Sequence, residues 1–204
     1  MKDSEVNQKE KFKEKVNLLY QEILATEVIN NMTKKLFFVH DNFLEYSIAV
    51  NYTIIAYQNY VILTLFKIYD IDQTNQSITL NYLLNSIFSV KMLNNDEKKI
   101  KEFSKNTIEL INSVESKTKI DTMRNKYYAH LDKKYQYGMK SFSSDEMITF
   151  QELNELISTA KNIIKQIYFY VFNLKAEDNE LIDTAEKQID EIIKNIHKGR
   201  NIIE

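Results

Sequence analysis

The stretch SIAVNYTIIAYQNYVILTLF, residues 47–66, carries no charged side chain. Its 20 residues match the length of about 20 that crosses a bilayer as a helix. Asn51, Gln58, Asn59, Thr53 and Thr64 interrupt it, and amphipathic sequence flanks it on both sides. It therefore reads as a central helix buried on most of its sides, not as a membrane span. The rest of the chain agrees with a helical protein. Among 204 residues there is no Pro, and Gly occurs only at 138 and 199. Sandwiches and barrels need Gly, Asn-Gly or Pro at their hairpins. Two distant glycines cannot build a G-x-G-x-x-G turn or a P-loop either. The fold class this predicts is all-α: an up-down helical bundle.

Outward from the central stretch, apolar residues recur at helical spacing. Val16, Leu19, Ile23 and Val28 mark a first amphipathic helix over about 4–30. A long second helix is expected over 33–69, either continuous or broken near His40, Asp41 and Asn42. Residues 70–77 are polar. A helix over 78–93 follows, with Leu80, Leu83, Leu84, Ile87 and Phe88 on its buried side. Asn94 and Glu97 have the spacing of a capping box. The helix they open carries Ile100, Phe103, Ile108 and Ile111 and bends near 116–118 or runs on through 121–133. Residues 134–144 hold Gly138 and three Ser and read as a loop. Thr149 and Glu152 form a second capping box, opening a helix to about Asn173. A last helix is expected over 180–196. The chain, 1–204, thus reads as a single domain, with an N-terminal helix over 1–32 and an appended C-terminal helix over 175–204.

Composition narrows the chemistry. There is no Cys, so disulfides, thiol nucleophiles and Cys-zinc sites are excluded. The first residues are polar and lack a signal-peptide core, so a cytoplasmic location and no membrane partner are expected. The three His, at 40, 130 and 197, include no i,i+4 pair, and no carboxylate cluster stands out, so neither a metal nor a cofactor is expected. His197 suits the end of a helix, where it complements the dipole. His40, after Phe37, Phe38 and Val39, suits a core edge.

His130 lies in Met123-Arg124-Asn125-Lys126-Tyr127-Tyr128-Ala129-His130-Leu131-Asp132-Lys133. Arg124 is one of only two Arg in the chain. A guanidinium forks onto phosphate oxygens and keeps its charge. An imidazole moves a proton near neutral pH. The amide of Asn125 can orient either group. Together they suit RNA cleavage with the 2′-hydroxyl as internal nucleophile. The spacing alone also fits a solvated helix face on which Lys126 and His130 are chance neighbours. Tyr128, four residues after Arg124, can stack beneath it or simply pack. Residues 91–140 carry 12 Lys and Arg against 7 Asp and Glu, in a chain whose net charge is -2. The basic excess thus sits where a phosphate backbone would bind.

Arg124-Asn125-x4-His130 resembles the Arg-x4–6-His signature of the HEPN superfamily. Ala129-His130-Leu131-Asp132-Lys133 is similar to its abortive-infection, AbiU-like branch. So are residues 64–70, with Ser77, Ile78, Leu83 and Leu84. The resemblance covers about 36–173. It implies a four-helix core with flanking helices that forms a homodimer. For many members it also implies a metal-independent endoribonuclease acting as a toxin or antiphage effector. Arg124 would then hold the scissile phosphate, Asn125 would position it, and His130 would transfer a proton or touch phosphate. Asp132 would orient His130, with Lys126, Tyr128 and Lys133 in support. HEPN proteins modified by a partner nucleotidyltransferase carry Tyr two residues after the His. Asp132 stands there instead, which speaks against that circuit. The partners expected are RNA, a second copy and an antitoxin or defence-system protein. The alternative is a catalytically silent module of the same fold that binds nucleotide, RNA or a partner.

Overall fold

The computed structural model describes residues 2–41, 48–70, 78–89, 97–125 and 147–176, and beyond them 184, 187, 188, 190, 191 and 194. Among these the regular structure is helical: α1 (Lys2–Asp41), α2 (Ile48–Tyr69), α3 (Leu80–Ser89), α4 (Glu97–Ser113), α5 (Glu115–Met123) and α6 (Phe150–Ile167), which runs on into a π-helical turn, Tyr168–Phe172.

α1 and α6 are antiparallel. Phe12 packs against Phe172 and Tyr20 against Tyr168. Further along, the Lys161 ammonium donates to Glu27 at 2.7 Å, Asn30 donates to Asn154 at 2.7 Å, and Phe37 meets Phe150. α2 fits against both. Lys67 pairs with Glu22 of α1 at 2.8 Å, and the Tyr69 hydroxyl donates to the Leu156 carbonyl at 2.6 Å. Between them lies one apolar core that includes Val16, Leu19, Ile23, Val61, Leu65, Ile68, Leu156, Ile157, Ile164 and Ile167. α3 joins through Leu80, Leu83 and Leu84, and Ser104 of α4 ties back to it by donating to the Leu84 carbonyl at 3.0 Å. No helix among the described residues is long and apolar enough to cross a membrane.

Some boundaries differ from those expected. The separate helices over 4–30 and 33–69 do not exist as such: α1 runs unbroken to Asp41, and His40 lies on its last turn. Asn30 and Thr33 stand at the expected boundary between the two helices. Asn30 instead turns its amide to Asn154, and the Thr33 hydroxyl bonds back to the Ile29 carbonyl at 2.7 Å. With the Asn30 amide nitrogen and the Thr33 hydroxyl both bonded and no Pro or Gly present, nothing ends the helix. The bend expected at 116–118 falls at Val114, whose extended backbone (φ -71°, ψ 110°) separates α4 from α5. α2 is the central helix expected, with most of its described residues buried or half-buried and one stripe exposed. It buries Ile54, Val61, Ile62, Leu65, Ile68 and Tyr69, but Tyr52, Ile55, Tyr60 and Leu63 are exposed.

The capping box at α6 forms as expected. Thr149 Oγ1 accepts from the Glu152 amide at 3.2 Å, and the Thr149 amide donates to Glu152 at 2.8 Å. The helical run ends at Asn173, which adopts a left-handed conformation (φ 56°) that an asparagine tolerates. The amide of Leu174 then reaches the Tyr168 carbonyl at 3.1 Å. Where the appended helix was expected, residues 184, 187, 188, 190, 191 and 194 are helical, and Asp190 accepts from Lys35 of α1 at 2.6 Å. The caps expected at Asn94, the loop at 134–144 and His197 lie outside the described residues.

Candidate functional site

α5 is short, and three anchors fix its orientation. Ile120 is fully buried, Ser116 is buried beside it, and Lys119 donates to Glu152 at 2.6 Å. Glu152 therefore caps α6 and ties α5 to it. The Lys119 ammonium, then the Thr149 amide and hydroxyl, hold its carboxyl below the usual glutamate range.

With one side anchored, α5 turns Lys117, Asp121 and Arg124 the other way. Their i, i+4, i+7 spacing puts them on one face. At the end of the helix the Arg124 amide is shared between the Ile120 and Asp121 carbonyls, and Arg124 and Asn125 lie on a widened π-type turn. Such turns re-aim side chains and are frequent at functional sites.

Opposite this face is the end of α2. The two walls enclose an open cleft of about 440 Å³, lined by Phe66, Tyr69 and Asp70 of α2 and its exit and by Lys117, Asp121, Arg124 and Asn125 of α5 and its last turn. The Arg124 guanidinium lies over the Phe66 ring, 4.4 Å from its centroid, and donates to Asn125 Oδ1 at 2.7 Å. An aromatic face and an amide oxygen thus hold it in place, while that bond uses one of its five N–H donors. Tyr69 closes the floor; burial pushes its phenol well up. Burial also raises the Asp121 carboxyl above the usual aspartate value. Lys117 and Arg124 oppose the rise, and Asp70 adds to it.

Chemically, the cleft offers a pre-oriented guanidinium, an amide, an ammonium and two carboxylates. The cations can hold a phosphate. The aromatic and guanidinium planes can hold a base by stacking. Among the described residues no group of three His, Cys, Asp or Glu is placed to hold a metal ion.

Of the residues singled out from sequence, Arg124 and Asn125 stand together in this cleft. Lys126, Tyr128, His130, Asp132 and Lys133 lie outside the described residues. Phe66, Asp70, Lys117 and Asp121 were not picked out as site residues. The helical spacing of Lys117, Asp121 and Arg124 was a usable signal. The pairing of Phe66 with Arg124 was not, since it depends on how α2 meets α5.

No curated protein and no solved structure matches the chain. The family model described as AbiU2, of the HEPN type, matches residues 9–192, which takes in all six helices in whole or part and the whole cleft. The chain therefore belongs to the AbiU2 family of HEPN domains, an abortive-infection-related family.

Proposed function

We propose that the protein is a metal-independent endoribonuclease that acts as a toxin or antiphage effector. The observation that carries this reading is the Arg124 guanidinium, fixed between the Phe66 ring and Asn125 in an open cleft. Membership of an abortive-infection-related HEPN family supports it. In the reaction, the RNA 2′-hydroxyl attacks the neighbouring phosphorus, and the bond from phosphorus to the 5′ oxygen breaks. The products are a 2′,3′-cyclic phosphate and a 5′-hydroxyl. Arg124 holds the phosphate and stabilises the charge that builds on it. His130 takes the hydroxyl proton or supplies one to the leaving oxygen. Asn125 keeps Arg124 in place. The full site is composite, built from two copies of the chain.

A second reading has one observation in its favour. Asp70 and Asp121 bring negative charge beside the position a phosphate would take. A silent module that binds nucleotide, RNA or an antitoxin tolerates such carboxylates more easily than a fast nuclease. Expression in a bacterial host separates the two. The ribonuclease reading expects wild-type protein to arrest growth with fragmented RNA, and His130→Ala to do neither. Equal arrest by both proteins, with RNA intact, supports the silent module.

A further inference from the structure

The two carboxylates of the cleft have no part in the reaction described above. Asp121 stands on α5 between the two cations of its face, Lys117 four residues before it and Arg124 three residues after it. Asp70 lines the opposite wall. Toward a phosphate alone both carboxylates are repulsive. Burial lifts the Asp121 carboxyl above the usual aspartate range by more than Lys117 and Arg124 draw it down. Its charge is thus under-compensated, and a ligand that brings hydrogen-bond donors restores what burial removed. The cleft, at about 440 Å³, is of a size that takes a small ligand and not only a phosphate. Phe66 and Arg124, both in its lining, give a base a surface on which to stack.

We propose that Asp121 reads the base attached to the phosphate that Arg124 holds, and that this base is guanine. An ionised carboxylate only accepts hydrogen bonds, through two oxygens side by side. Guanine presents adjacent donors on its Watson–Crick edge, N1–H and the 2-amino group. Adenine and cytosine set an amino group there beside a ring nitrogen that accepts. Uracil sets its single N–H between two carbonyls. Each of these three turns a lone pair toward the carboxylate. Asp70, on the facing wall, adds negative charge and deepens that repulsion. Lys117 lies one helical turn from Asp121 on the same face. Its ammonium complements guanine O6, the acceptor beside N1, where adenine carries a donor of its own.

Arg124 and Asp121 thereby divide the work. The guanidinium holds any nucleotide by its phosphate, and the carboxylate chooses among the bases. Calling the guanylate part of a substrate rests on the ribonuclease reading. The choice of base is read from binding without cleavage, so the two can fail separately.

The probes are short 2′-deoxy oligonucleotides, all thymine or with one internal base changed, which lack the hydroxyl that the cleavage uses. Binding is followed by fluorescence anisotropy. Wild type should bind the guanine oligonucleotide about tenfold or more tighter than those with adenine, cytosine or thymine, as one good bidentate pair discriminates. Hypoxanthine keeps N1–H but lacks the 2-amino group, and should lose most of that preference. Asp121→Asn, which keeps the side chain's shape, should bind all the oligonucleotides alike. Arg124→Ala should weaken all of them and keep their order. Equal binding of every oligonucleotide by wild type would overturn the proposal, as would no binding of any, or a guanine preference that Asp121→Asn retains. Guanosine monophosphate binding as tightly as the guanine oligonucleotide would mean a site for a free nucleotide and overturn it too. Guanine-selective binding by a protein that leaves RNA intact would sink the ribonuclease reading and uphold the choice of base. RNA cleavage with no preference for guanine would do the reverse.

Discussion

Arg124 owes its position to two contacts, one flat and one directional. The guanidinium carbon lies 4.4 Å from the centre of the Phe66 ring, and Asn125 Oδ1 accepts from the guanidinium at 2.7 Å. Lysine keeps the charge but has neither a plane to stack nor a fork to aim. Arg124→Lys should therefore behave more like Arg124→Ala than like wild type in RNA cleavage. Phe66→Leu should weaken cleavage while keeping the helical circular dichroism, because the ring packs against the core but is only half-buried. Asp121 makes a different prediction. Burial raises its proton affinity in the folded state above that in the unfolded chain. Between the two values the folded state holds the extra proton, so stability falls as pH rises through that window. At pH 7 the ionised carboxyl is a cost. Asp121→Asn should raise the melting temperature at pH 7 and make little difference at pH 3, as followed by circular dichroism. A variant equally stabilised at both values would assign the gain to packing instead.

At the scale of elements, Glu152 joins the cap of α6 to the anchor of α5. Removing a capping partner costs about 1 kcal/mol. Its carboxyl is held below the ordinary glutamate range, so its contribution is complete above that range and is lost as pH falls through the folded value. Glu152→Ala should lower stability by ~1–2 kcal/mol at pH 7 in urea melts, with the gap to wild type closing in acid. Tyr69→Phe removes a buried donor to the Leu156 carbonyl and should cost ~1 kcal/mol in the same assay. These elements also show what could be read from sequence. Thr149 and Glu152 were legible because a capping box lies within four residues. Leu80, Leu83, Leu84 and Ile87 were legible because one helical period puts them on one face. The continuity of α1 was not, since it depends on Asn30 finding Asn154 on α6. The bare side of α2 was not either. An uncharged helix looks equally ready for burial all round, and which face the core leaves open depends on where α1 and α6 pack. The cleft was half legible. Arg124 and Asn125 are neighbours in the motif, whereas Phe66 and Asp70 arrive from another helix.

At the scale of the whole molecule, the bundle brings the end of α2 and the end of α5 together around a mixed cleft. The composite site proposed above needs two copies of the chain, each bringing one Arg124. A mixture of Arg124→Ala and His130→Ala proteins, each inactive alone, should then regain part of the cleavage once subunits exchange. The central claim is that Arg124 acts on RNA, and one measurement addresses it most directly. Purified wild type and Arg124→Ala are each incubated with end-labelled RNA in excess EDTA, and both the cleavage rate and the chemistry of the new ends are read. The account predicts cleavage by wild type with 2′,3′-cyclic phosphate ends. It predicts a loss of about 10²–10³ in rate for Arg124→Ala, the size seen when a key electrostatic donor is removed, with an unchanged melting curve. Equal rates for the two proteins, or wild-type cleavage that EDTA abolishes and Mg²⁺ restores, would contradict it.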